Sequence, residues 1–173
     1  EKLKINIKLN IKYNNYIFII MRIALYQPDI PQNTGNIFRL AACLGLSVDI
    51  IEPTGFLFNE NKFKRSMMDY MQHLEYKRHL DWDSFLKWVK KNNFRLVLLT
   101  TKSNIPYSNY KFHLNDILLF GQESAGIPDD IHKIVDERLT IPMVSGLRSI
   151  NVSSSVAIVA GEACKQLKLF YEK

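Results

Sequence analysis

The sequence predicts an α/β domain: a mostly parallel sheet flanked by helices. Short apolar runs at 21–27, 48–51, 94–101 and 117–120 read as buried strands. Segments with helical apolar spacing lie between them, and Pro or Gly punctuates the joins. Strands that alternate with helices imply parallel pairing through crossover connections.

The elements follow in order. The run 21–27 is a first strand, stopped by Pro28 and Pro31. Asn33 is placed to cap a helix that runs to Leu44, with Gly45 at its end and Ile37, Leu40, Ala41 and Leu44 at helical spacing. Residues 48–51 form a second strand, ended by Pro53 and Gly55. Residues 62–70 are expected as a helix and 74–79 as a strand. A helix over 81–91 presents Trp82, Phe85, Leu86 and Val89 on one face. Strand 94–101 leads into a loop at 103–109 that contains Pro106. Strand 117–120 ends on Gly121, a short helix spans 128–135, and a last strand spans 138–141. A long C-terminal helix is expected over 151–170.

The composition sets limits. The chain has 173 residues, 47% apolar and 23% charged, an ordinary globular balance that rules out disorder, collagen and coiled coil. No run approaches the roughly 20 apolar residues of a membrane-spanning helix. One domain is expected over 21–173, with 1–20 as an upstream extension outside the fold. Cys43 and Cys164 lie in expected helices, and neither they nor His73, His79, His113 and His132 have metal-ligand spacing. No metal and no disulfide are expected, in keeping with a reducing cytoplasm.

Ligands of open α/β sheets sit beyond the carboxyl ends of the strands. Three loops with Gly lie at such ends. The first is Asn33-Thr34-Gly35-Asn36-Ile37-Phe38-Arg39, which reads either as a site where Gly35 permits close backbone approach and Arg39 contacts phosphate, or as a capped helix with a solvated Arg39. The second is Gly121-Gln122-Glu123-Ser124-Ala125-Gly126, neither a P-loop nor a dinucleotide fingerprint. Glu123 is either a site carboxylate or a cap for the turn amides. The third runs from Ile141 to Ser155, dense in donors and acceptors, including Arg148, Ser149 and Asn151. It reads either as a polar ligand site or as a serine-rich helix start. Singly, none of the loops identifies a function.

In this order and spacing the loops resemble the three motifs of SPOUT-class RNA methyltransferases. The chain is most similar to the small tRNA (cytidine/uridine wobble) 2'-O-methyltransferases. The resemblance is carried by residues 22–36 (RIALYQPDIPQNTGN), Ile51-Glu52-Pro53, Leu99-Thr100-Thr101-Lys102, the two later loops and the last helix. It implies a deep C-terminal trefoil knot that binds S-adenosylmethionine, with cofactor contacts at Leu99, Gly121, Ile141 and Ser149. It implies methyl transfer to the ribose 2'-hydroxyl of the tRNA wobble nucleotide, cytidine or modified uridine, with leucine tRNAs expected. Arg39 matches the family's functional arginine. Asn36, Glu123, Arg148 and Asn151 match further polar motif positions. A homodimer through the knot helices and docking of the anticodon stem-loop are also implied. The alternatives are another tRNA site, ribosomal RNA, or a catalytically silent RNA-binding knot protein. Two places depart from some relatives: Gly161 stands where they carry tyrosine, and Ser145-Gly146-Leu147 replaces a version with Pro and Asp.

The net charge of +6 looks like a nucleic-acid signal, but it divides evenly. Lys2, Lys4, Lys8 and Lys12 against Glu1 put +3 in residues 1–20, which leaves +3 for the domain. Basic groups that could meet RNA are Lys62, Lys64 and Arg65, and Lys87, Lys90 and Lys91. Either group is also readable as a solvated face.

Overall fold

The computed structural model describes residues 21–58 and 68–169. The expected extension 1–20, the basic group Lys62, Lys64 and Arg65, and most of the expected helix 62–70 lie outside the described residues.

Strand β1 (Arg22–Tyr26) leads into helix α1 (Pro31–Leu44) and strand β2 (Ser47–Ile51). A 3₁₀ segment (Met68–His73) precedes β3 (Tyr76–His79) and α2 (Trp82–Lys91). Then come β4 (Arg95–Leu99), a 3₁₀ turn (Tyr107–Asn109), β5 (Asp116–Phe120), α3 (Asp129–Ile134), β6 (Glu137–Leu139) and α4 (Val152–Gln166). The six strands are all parallel, in the order β3-β2-β1-β5-β4-β6.

Strand side chains alternate between two faces, which makes two cores. Ile23, Leu25, Leu118 and Phe120 pack under α1 and α4, together with Ile37, Phe38, Val156, Val159 and Ala163. Ala24, Leu96, Leu98, Ile117 and Leu119 pack against Phe85 and Val89 of α2 and Ile131 of α3. A sheet covered on both faces needs strands that are apolar throughout. Every residue of β2 and β5 is buried. Buried Asp49, in mid-sheet, is paired on both sides. Arg22 Nε donates to Asp49 Oδ2 at 2.6 Å, and His79 Nε2 lies 2.8 Å from Asp49 Oδ1.

Several boundaries differ from expectation. Helix α1 starts two residues before Asn33, because Pro31 occupies its first turn with φ already helical. Asn33 is therefore no cap; it sits buried inside the first turn. Gly45 ends α1 in the left-handed region at φ 67°, as a C-terminal glycine does. Asp81 caps α2 through a reciprocal pair with Ser84. The described part of the expected helix 62–70 belongs to the 3₁₀ segment. Helix α4 ends at Gln166, short of residue 170.

Strand order runs outward from β1 to β3, then resumes on the other side of β1 with β5, β4 and β6. The reversal falls between β1 and β5. Helices leave a crevice at such a point, beyond the carboxyl ends of the two strands.

Candidate functional site

The crevice is there. A cleft of about 380 Å³ opens beyond β1, β5, β4 and β6. That lies within the ~300–1,000 Å³ typical of small-molecule sites. Leu99, Gly121, Ile141 and Ser149 all line it, as do Glu123 and Asn151. Leu98, Ile127 and Ile141 give apolar wall, while Thr100, Thr101 and Gln122 add polar groups that the sequence reading did not single out.

The second loop is closed on itself. Gln122 N donates to Gly126 O at 3.0 Å and Gly126 N to Gln122 O at 2.8 Å. Gly126 turns the chain at φ 72°. A Cβ on Gly121 would stand 2.7 Å from Gly126 C and 2.9 Å from its carbonyl oxygen. The lack of a side chain at 121 thus serves the turn first; room for a ligand is a consequence.

A chain of hydrogen bonds joins all three loops. Glu123 Oε2 accepts from Asp29 N at 3.2 Å, and Glu123 Oε1 accepts from Asn33 Nδ2 at 3.0 Å. Asn33 Oδ1 accepts from Asn151 Nδ2 at 3.0 Å. Asn151 Oδ1 in turn accepts from Ser153 N at 2.9 Å and Ser154 N at 3.3 Å, which caps α4. Asn151 therefore caps α4 and lines the cleft at once.

The turn amides are capped from elsewhere. Asp29, not Glu123, receives them: Glu123 N at 3.1 Å and Ser124 N at 3.3 Å, with the Ser124 hydroxyl also donating to Asp29. The Glu123 side chain, and after it these bonds, hold the Asp29 carboxyl below the usual range. Burial pushes the Glu123 carboxyl up, and its neighbour Asp29 adds to this. Asp29, which the sequence reading does not single out, anchors the second loop without lining the cleft. Its signal was position: a carboxylate between two prolines, directly after a buried strand.

Arg39, Asn36 and Arg148 do not line the cleft; all three are exposed. Arg39 lies further along α1, its guanidinium Cζ 4.7 Å from the centroid of the Tyr70 ring. Lys87, Lys90 and Lys91 approach the far end of the domain, because the last turn of α2 leads into the start of β4. Lys90 and Lys91, in that last turn, stand at the end of the sheet opposite the cleft. Among the described residues no group of His, Cys, Asp and Glu is arranged to hold a metal ion, and no helix is long and apolar enough to cross a membrane.

The chain is similar to known proteins in sequence and fold. The model of the SpoU rRNA methylase family matches residues 20–161. A tRNA (cytidine(34)-2'-O)-methyltransferase of Beijerinckia indica is 46% identical over 84% of this chain and 91% of its own. A solved structure described as bearing on the 2-OH methylation of C/U34 on tRNA is 36% identical. It superposes with a TM-score of 0.80 over 86% of this chain and 97% of its own. The SpoU methyltransferase AviRb of Streptomyces viridochromogenes, solved with AdoMet, shares the fold at 21% identity, with a TM-score of 0.79 over 89% of this chain and 63% of its own. With its three loops joined at the strand reversal and a family match over most of its length, the chain belongs to the SpoU rRNA methylase family.

Proposed function

We propose that the chain methylates the ribose 2'-hydroxyl of the wobble nucleotide of tRNA, cytidine or modified uridine, with S-adenosylmethionine as donor and leucine tRNAs as substrates. The observation that carries this is the convergence of Leu99, Gly121, Ile141 and Ser149 on one cleft. The relatives named above support the choice of tRNA.

The cleft fits the donor by volume and by chemistry. Leu99 and Ile141 offer apolar surface to a purine, the loop at Gly121 offers backbone, and Ser149 offers a hydroxyl. When bound, S-adenosylmethionine supplies an electrophilic methyl on a sulfonium. The protein's part is to orient the acceptor and stabilise charge as it develops. The relay from Asp29 to Asn151 fixes the three loops relative to one another. Arg39 is the electrostatic clamp on the RNA phosphate and on the alkoxide that forms. A guanidinium holds its proton throughout the neutral range, so it is a poor general base.

The deep C-terminal knot belongs to the same proposal. It is supported by the path of the chain, which leaves β6 at the sheet edge and returns to Asn33 through Asn151. So does the homodimer. Val156, Val159 and Ala163 of α4 are core, whereas Ile158 is 37% exposed, and Val144 and Leu147 on the third loop are 76% and 68% exposed. Gly161 borders open space, so this face of α4 is flat where a relative's tyrosine would project. The dimer surface is the place for the anticodon stem-loop, within the cytoplasm.

The test incubates purified protein with labelled S-adenosylmethionine and a panel of native tRNAs and transcripts, then maps the modified nucleosides. Label at position 34 of leucine tRNAs is expected. Donor binding without transfer to any RNA would instead support a silent RNA-binding protein. Arg39→Ala should lose more than tenfold in turnover (about 1.4 kcal/mol per tenfold) while keeping donor affinity. Unchanged turnover would remove Arg39 from the mechanism.

A further inference from the structure

Arg39 lies on the exposed side of α1, where a long cationic side chain is normally free to sample many rotamers. It is not free. Its guanidinium stacks 4.7 Å from the centre of the Tyr70 ring, and its Nη2 donates to the Tyr70 hydroxyl at 3.3 Å. Among the described residues no carboxylate lies within ion-pairing distance of Arg39. The ring itself is anchored: Tyr70 is half-buried, packed against the core beneath α1. The 3₁₀ segment that carries it rests on the same helix.

We propose that Tyr70 is a positioning residue for Arg39: it fixes the guanidinium over its ring without neutralising it. The proposal rests on the reading of Arg39 as the clamp on phosphate and nascent alkoxide. The chemistry suits that task. A carboxylate partner would compete with an RNA phosphate for the same donors, whereas an aromatic face attracts the cation and leaves most of its N–H groups available. The hydroxyl takes up one of them and sets the rotation of the planar fork. Fixing the fork in advance removes an ordering cost that would otherwise fall on substrate binding or on the transition state.

The experiment measures single-turnover methyl transfer to tRNA and donor affinity for Tyr70→Leu, Tyr70→Phe, Arg39→Ala and the double variant Arg39→Ala/Tyr70→Leu. Tyr70→Leu keeps apolar bulk and loses the ring face; a rate loss of about three- to tenfold at unchanged donor affinity is expected. Tyr70→Phe keeps the face and should recover to within about threefold of the parent. In the Arg39→Ala background, Tyr70→Leu should add no further loss, because the two residues act as one unit. The upfield ring-current shift of the Arg39 side-chain protons should vanish in Tyr70→Leu and persist in Tyr70→Phe, a readout independent of turnover and of RNA. Full activity of Tyr70→Leu beside an inactive Arg39→Ala overturns the role of Tyr70 alone. So does a loss that multiplies with that of Arg39→Ala. An active Arg39→Ala overturns the reading of the clamp and the present proposal with it. Should Tyr70→Leu not fold, the ring-current shift in the parent and in Tyr70→Phe decides: its absence in the parent overturns the stack.

Discussion

Asn33→Ala cuts the hydrogen-bond chain at its centre. In the parent the amide spans two loops, donating to Glu123 Oε1 and accepting from Asn151 Nδ2, each at 3.0 Å. A hydrogen bond contributes about 0.5–1.5 kcal/mol net, so loss of the pair is worth about 1–3 kcal/mol. Stranding a fully buried partner would cost more. Here Asn151 is exposed and Glu123 half-buried, so water replaces much of what is lost and the lower half of the range applies. The cost falls where the three loops meet, not on the two cores. A weakening of S-adenosylmethionine binding by about tenfold is therefore expected, equivalent to about 1.4 kcal/mol, with a melting temperature lower by about 2–8 °C. Calorimetric titration of the cofactor measures the first and a thermal melt the second. Asn151→Ala should weaken binding similarly, and the double variant by much less than the product of the two losses. A cofactor affinity within twofold of the parent in Asn33→Ala would refute the idea that this relay assembles the site. Fully multiplicative losses would show that Asn33 and Asn151 act separately.

Gly121→Ala forces a Cβ to 2.7 Å from the Gly126 backbone, so the 122–126 turn must open; overpacking of about 1–3 kcal/mol should appear as lost cofactor affinity, and unaltered binding would contradict the placement of this loop. Asp116 is fully buried, with Oδ1 lacking a hydrogen-bond partner and Arg95 Nη1 at 3.7 Å. Burial pushes its carboxyl up. An acid whose pKa rises on folding favours the folded state below its unfolded pKa, and that contribution is lost as pH climbs through the folded value. Asp116→Asn should therefore gain stability relative to the parent as pH rises from about 4 toward 7. Melts across that range check it, and a pH-independent difference would sink the argument. The Cys164 thiol is buried and pushed up to about 11, whereas Cys43 is exposed. A thiol reagent at neutral pH should label one cysteine rapidly in the native protein and both after denaturation. Rapid labelling of both in the native state would contradict the burial of Cys164.

Much of this was legible before any fold was known. The strands at 22–26, 47–51, 95–99 and 116–120 announce themselves because strands buried on both faces must be apolar throughout, and continuous apolar runs are easy to read. Edge strand β3, Tyr-Lys-Arg-His, carries no such signal and is found only loosely. Leu99, Gly121, Ile141 and Ser149 are named by resemblance, which works residue by residue, and all four line one cleft.

The roles of Asp29 and Asn33 were a different matter. Sequence alone offers Asn33 a local task, helix capping, and leaves Glu123 open between a site carboxylate and a cap of its own turn. Both local tasks went to other groups: Pro31 begins α1, and Asp29 takes the amides of 123 and 124. Freed from local partners, Asn33 and Glu123 bond to each other across 90 positions of chain. Likewise nothing near Arg39 in sequence foretells Tyr70, which lies 31 positions away on a separate segment. Apolar periodicity and turn chemistry are short-range properties, written into neighbouring residues, so the sequence by itself determined the elements, the parallel architecture and the identity of the loops. Which polar side chain partners which depends on how a strand order reversal brings distant loops together. That choice was made only by the tertiary structure.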